Sequence, residues 1–142
     1  KVVISGGPHT GKTTLINALR ILYPNAFFVD EAATMLIKSE LAKQRESSSY
    51  SPIVPWVNPA KFGERVFEQY IALEREIPKT ENLIFLDRGL VDVVGYARSV
   101  GQREGAEKAM QLAHEASYSA AFFCSSLNDY RTNEIRRENR KK

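Results

Sequence analysis

The sequence predicts an α/β fold of three layers, αβα, around a parallel sheet, and three observations carry that expectation. The chain opens on the short continuous apolar run Val2-Val3-Ile4, which leads through a Gly-rich turn into a helical stretch. Apolar runs of strand length then alternate with helical patterns down the chain, the order that builds a parallel sheet with helical crossovers. A length of 142 residues leaves room for one core and not for two.

The turn Gly6-Gly7-Pro8-His9-Thr10-Gly11-Lys12-Thr13 fits G-x-x-x-x-G-K-[ST] without a mismatch and sits between a strand and a helix, as that pattern requires. This makes the expected fold that of a P-loop NTPase. Gly6 and Gly11 can take turn conformations closed to residues with a Cβ, so that successive N–H groups point at phosphate oxygens. The helix that follows adds its unpaired N–H groups and the positive end of its dipole. Lys12 is placed to reach the β- and γ-phosphates and the Thr13 hydroxyl to hold Mg²⁺. Gly6, Gly7, Pro8, His9, Thr10, Gly11, Lys12, Thr13 and Thr14 form the expected nucleotide-binding set.

The remaining elements follow in order. A helix is expected over Thr14 to Tyr23, with Leu15, Leu19 and Leu22 on its apolar face and Pro24-Asn25 stopping it. Ala26 to Val29 reads as the second strand, parallel to the first through a right-handed crossover. Glu31 to Glu46 reads as a helix of good formers. The polar, Pro-punctuated stretch 47–59 that follows is long enough to be expected as a mobile or functional loop. Asn58-Pro59 starts the next helix, with Phe62, Val66, Tyr70, Leu73 and Ile77 as its stripe. Leu83 to Asp87 is the third strand, Leu90 to Val100 a helix, Gly101 to Gly105 a hinge and Ala106 to Ser117 a further helix. Ala120 to Cys124 is the fourth strand, and residues 128–142 read as a highly charged, lid-like basic helix.

Chemistry gathers at strand ends. Four apolar residues running into Asp87 have the Walker-B form, a carboxylate able to organise Mg²⁺ or accept a hydroxyl proton. Glu31 ends the second strand and falls on the same sheet edge, where open α/β sheets bind ligands. One carboxylate is then a candidate base and the other a metal organiser, with the assignment open. Arg88 is a candidate phosphate ligand or a surface ion pair. Trp56, Phe62 and Gln69 are candidate substrate contacts from the loop and the helix after it. Arg131, Arg136, Arg137 and Arg140 could close on a transferring phosphoryl group or form a solvated basic face.

Composition excludes some classes. There is no run of 18 apolar residues and no signal-peptide pattern. A single cysteine, Cys124, inside an apolar run reads as a buried core thiol and suits a reducing cytoplasm. The net charge of +3 is local. Six basic residues against Glu134 and Glu138 give residues 131–142 a charge of +4, so the other 130 residues carry −1. That distribution argues against a nucleic-acid face spread over the fold. The chain lacks an initial Met and stops within a charged helical pattern, so it reads as an excerpt of a longer protein.

Several segments fall in order like those of a known family: GGPHTGKTT, Glu31-Ala32-Ala33, Asn58-Pro59-x-x-Phe62 with Gln69, Asp87-Arg88-Gly89-Leu90-x-Asp92-x-x-x-Tyr96-Ala97, and Tyr130-Arg131-x-Asn133-x-x-Arg136-Arg137-Glu138. Together they resemble the P-loop ATPase domain, of AAA type, shared by the nicotinamide riboside kinase part of bacterial NAD regulators and the TRPL-translocation-defect protein of animals. The resemblance implies a nucleoside-kinase-like fold with strand order 2-3-1-4-5, the fifth strand and last helix being absent from this chain. It implies Lys12 and Thr13 on phosphate and Mg²⁺, Asp87 and Arg88 at the reacting phosphate, Glu31 as a carboxylate ending strand two, and Arg136 and Arg137 as lid arginines. The expected activity is transfer of the γ-phosphoryl of ATP (or GTP, since no Asn-Lys-x-Asp stretch reads the base) to a small-molecule hydroxyl acceptor of nucleoside type. The alternative is a nucleotide-dependent switch with no small-molecule acceptor.

Overall fold

In the computed structural model the described residues are 1–126. Four short strands, β1 (Val2–Gly6), β2 (Phe27–Val29), β3 (Ile84–Asp87) and β4 (Ala120–Cys124), form one parallel sheet in the order β2-β3-β1-β4. This matches the expected order as far as the fourth strand. The five helices among the described residues are α1 (Lys12–Leu22), α2 (Ala32–Glu46), α3 (Pro59–Glu76), α4 (Leu90–Ser99) and α5 (Arg103–Glu115). The basic segment expected over 128–142, with Arg131, Arg136, Arg137 and Arg140, lies outside the described residues.

The strand order decides the layers. The chain leaves β1 toward β2 in one direction across the sheet and returns from β2 to β3 in the other, so right-handed crossovers send α1 to one face and α3 to the opposite one. On the α1 face, Tyr23 and Phe28 both pack on Phe85, and the Arg20 guanidinium lies 4.4 Å from the Phe28 ring centre. On the other face Val3, Val29, Ile84 and Leu86 cluster with Leu73 of α3 and with Ile77 just after that helix. A larger core joins α2 to α5 around Leu36, Phe62, Val66, Tyr70, Val93 and Ala109.

Three expectations need correction. The face α1 buries carries Ile16 and Lys12, whereas Leu15 and Leu22 are exposed, because the side of the helix turned inward is the one beside the Leu stripe rather than the stripe itself. Cys124 is half-buried rather than a core thiol, since β4 is the edge of the described sheet and leaves Phe122 and Phe123 58% and 77% exposed. The expected hinge is short. α5 already begins at Arg103, with Glu104 in its first turn where the helix dipole favours an acid. Helix α3, by contrast, starts as its sequence predicts: the Asn58 side chain accepts from the Lys61 amide at 3.0 Å and Pro59 follows it.

Gly63 shows how closely α3 and α4 approach. A Cβ there would lie 2.7 Å from Cε1 of Tyr96, a ring whose hydroxyl donates to the Pro59 carbonyl at 2.9 Å. In an open helix Gly→Ala gains about 1 kcal/mol of propensity, but overpacking against a held ring loses about 1–3 kcal/mol. Gly63→Ala is therefore expected to destabilise, by about 1 kcal/mol in a urea melt. A gain in stability would show that the ring yields freely.

Candidate functional site

The carboxyl ends of β1, β2 and β3 meet at one edge of the sheet. Register pairs Ile4 with Asp87 and Val29 with Leu86, so the Gly6 turn, Glu31 and Asp87 converge there. The turn needs glycine in two ways. Gly6 has φ +135° and a Cβ on it would lie 2.4 Å from the Cys124 carbonyl oxygen of the neighbouring strand, while Gly11 caps α1 at φ +80°. Thr10 closes the loop by donating to the Gly7 carbonyl at 2.9 Å. The Lys12 ammonium is buried inside its own loop and donates to the carbonyls of Gly6 at 2.8 Å and Gly7 at 2.7 Å. Burial lowers its pKa, and the nearby Arg88 adds to that. Thr13 and Thr14 are exposed at the first turn of α1.

Behind the loop lies an array of opposite charges. Arg88, in a left-handed conformation with φ +66°, donates from Nε to Glu31 at 2.5 Å and from Nη1 to Asp92 at 3.4 Å. A non-glycine residue held there marks a place where surrounding contacts override the local preference. Asp92 also accepts from the Ser5 hydroxyl at 2.6 Å and from the Gly89 amide at 3.0 Å, which ties β1 to the start of α4. Beneath it, the Tyr118 hydroxyl accepts from the Leu90 amide and donates to Glu74, which also pairs with Lys1. Glu31 receives a second hydrogen bond, from Thr34 at 2.6 Å. Burial opposes its charge, but Arg88 and Thr34 outweigh it and hold the carboxyl below the usual range.

Asp87 behaves in the opposite way. Burial first, and the neighbouring Glu31 second, push its pKa up to about 6. Its Oδ1 is buried with no hydrogen-bond partner among the described residues. This orphaned oxygen fits a hard cation such as Mg²⁺, with Thr13 at the adjacent helix start supplying a second oxygen donor. Among the described residues no group of three or more His, Cys, Asp or Glu side chains could hold a metal alone, so further oxygens would come from phosphate and water.

The pKa carries a prediction. The folded Asp87 keeps its proton to about pH 6, whereas an unfolded aspartate loses it near 3.8. The native state binds the extra proton across that window, so stability falls as pH rises through it. Asp87→Asn is expected to add about 1–3 kcal/mol to the unfolding free energy at pH 7.5 and little at pH 4. Urea denaturation at the two pH values checks this; equal effects at both would reject it.

Beside this array opens a cavity of about 280 Å³ between α2, α3 and α4. Its walls are largely apolar, among them Ile37, Pro55, Phe62, Val66 and Tyr96, and its polar lining includes Glu31, Arg88 and Asp92. Tyr70 also lines it; this side chain is 1% exposed, and burial raises its pKa well above the usual tyrosine value.

The structure thus brings together the Gly6–Thr14 loop, Glu31, Asp87, Arg88 and Phe62. It does not bring Trp56 or Gln69 into the cavity lining: Trp56 is 36% exposed and Gln69 half-buried nearby. Arg88 is engaged by two carboxylates rather than standing as a separate cation. Sequence reasoning assigned no role to Ser5, Tyr70 or Asp92. Asp92 had a findable signal, an acid three residues into a helix after Gly89; Tyr70 read only as one position of an apolar stripe.

The family model described as AAA domain matches the chain over residues 1–142. No curated protein matches it. Among the described residues no helix is long and apolar enough to cross a membrane.

Proposed function

The chain belongs to the AAA domain family, a family of nucleotide-binding P-loop proteins, and we propose that it moves the γ-phosphoryl group of ATP to a hydroxyl of a small acceptor of nucleoside type. The observation that carries this reading is the cavity. It lies beside the phosphate loop, is apolar enough to hold a ring, and presents carboxylates and an arginine to a hydroxylated group. The likeness of the Asp87-Arg88 segment to nicotinamide riboside kinase domains points the same way.

In this reading the loop amides and Lys12 hold the phosphates, Lys12 exchanging its own-loop carbonyls for phosphate oxygens. Mg²⁺ bound with the nucleotide would supply positive charge that offsets the negative charge of the phosphates. Asp87, with its unpartnered buried oxygen, would hold it with Thr13. Glu31 lines the cavity, so it orients the acceptor hydroxyl and takes its proton. The acceptor oxygen bonds to the γ-phosphorus, the bond from that phosphorus to the β–γ bridging oxygen breaks, and ADP leaves. Ionised Glu31 is a weak base, which a loose phosphoryl transition state tolerates because positioning matters more than basicity. Arg136 and Arg137 are the proposed lid cations, and a reducing cytoplasm is the proposed setting.

Calorimetric titration of ribonucleosides into protein saturated with a non-hydrolysable ATP analogue tests the reading. One-to-one binding that Phe62→Ala weakens would support it. Nucleotide binding with no nucleoside bound would favour the nucleotide-dependent switch instead.

A further inference from the structure

We propose that Glu40 is a positioning residue for the acceptor, acting through the segment between α2 and α3; this rests on the reading of the cavity as the acceptor site. Glu40 does not line the cavity. It is 1% exposed, in the middle of α2, and its carboxylate is saturated by donors. The Tyr50 hydroxyl donates to Oε2 at 2.6 Å, the Ile53 amide to the same oxygen at 2.8 Å, and Lys43 to Oε1 at 2.7 Å. Burial opposes the charge, but these hydrogen bonds overcome it and hold the pKa at about 2, so the group is ionised at any working pH.

The consequence lies one residue beyond the last donor. Val54 follows Ile53 and is fully buried in the main core, and Pro55 after it forms part of the cavity wall. The Val54 carbonyl then accepts from the Val57 and Asn58 amides, turning the chain into α3, whose Phe62, Val66 and Tyr70 line the same cavity. A single carboxylate thus fixes how the α2 wall joins the α3 wall. A buried charge is a weak device for stability alone, because its desolvation consumes most of the attraction it gains. Its use here is geometric: it sets the place of Pro55 and with it the width of the cavity, while its donors Lys43, Tyr50 and Ile53 all lie outside the phosphate loop.

The test compares Glu40→Gln and Tyr50→Phe with wild type, using MgATP and the four ribonucleosides as probes. A misplaced wall is expected to raise the acceptor KM about tenfold in Glu40→Gln and less in Tyr50→Phe. The KM for ATP and kcat should stay within about twofold, since a shifted wall acts on acceptor binding rather than on the transfer step. Amide exchange at Ile53 and Val54 should quicken in parallel. Faster exchange with an unchanged acceptor KM would overturn the proposal and leave Glu40 a purely structural anchor. So would equal losses in ATP and acceptor affinity. If Glu40→Gln fails to fold, Tyr50→Phe decides by the same criterion, as it leaves two donors on Glu40. No transfer by the wild-type chain would overturn the acceptor reading itself, and this inference with it.

Discussion

Replacing Arg88 by alanine is expected to lower the unfolding free energy by about 3–4 kcal/mol at pH 7, the range for removing one partner from a largely buried ion pair. Arg88, Glu31 and Asp92 side chains are all less than a quarter exposed, so the two carboxylates left behind would face each other with little solvent to screen them. Lysine should not rescue the loss. Its single ammonium cannot reproduce a fork that reaches Glu31 from Nε and Asp92 from Nη1. The loss should shrink on acidification. Without the guanidinium, burial becomes the main influence on Glu31 and would make it hold its proton to higher pH than its unfolded form, so the variant's stability falls as pH rises. Urea melts of wild type, Arg88→Ala and Arg88→Lys at pH 5 and pH 7.5 measure all of this. A loss independent of pH would mean that the arginine acts by packing rather than by charge.

The second large effect falls on Lys12. Lys12→Ala removes the only side-chain cation of the phosphate loop and is expected to weaken MgATP binding by about 100-fold or more, the equivalent of two charge-assisted hydrogen bonds. The ammonium already occupies the loop, held by the Gly6 and Gly7 carbonyls. Its removal should therefore change the melting temperature without nucleotide less than it changes the nucleotide's effect. A ligand present at 100 times its Kd stabilises by about 2.7 kcal/mol. Thermal unfolding with and without MgATP should show that increment in wild type and its loss in the variant. Equal stabilisation of both proteins would place the nucleotide elsewhere.

Much of the scaffold was legible because it is local. The Gly6–Thr13 spacing, the Asn58-Pro59 helix start and the apolar runs ending at Asp87 and Cys124 each depend on neighbours within a few residues, and each appears where its sequence places it. What the sequence concealed depends on pairs far apart in the chain. Arg88 and Glu31 are 57 residues apart, and nothing near either one announces the other. Glu40 lies in a stretch that reads only as a helix of good formers, yet Tyr50 and the Ile53 amide bring it inside. The exposed leucines of α1 failed for a related reason: a stripe can be read from periodicity, but which side of it meets the sheet is set by the crossover.

The proposed phosphoryl transfer requires one sheet edge to hold ATP and an acceptor hydroxyl together. The most direct measurement is incubation with γ-labelled ATP and Mg²⁺ in the presence of pooled nucleosides and related riboside alcohols, with Lys12→Ala as the blank. Label is expected on one pool member, dependent on Lys12. Label released only as free phosphate, or no turnover by a chain that binds ATP, would contradict it.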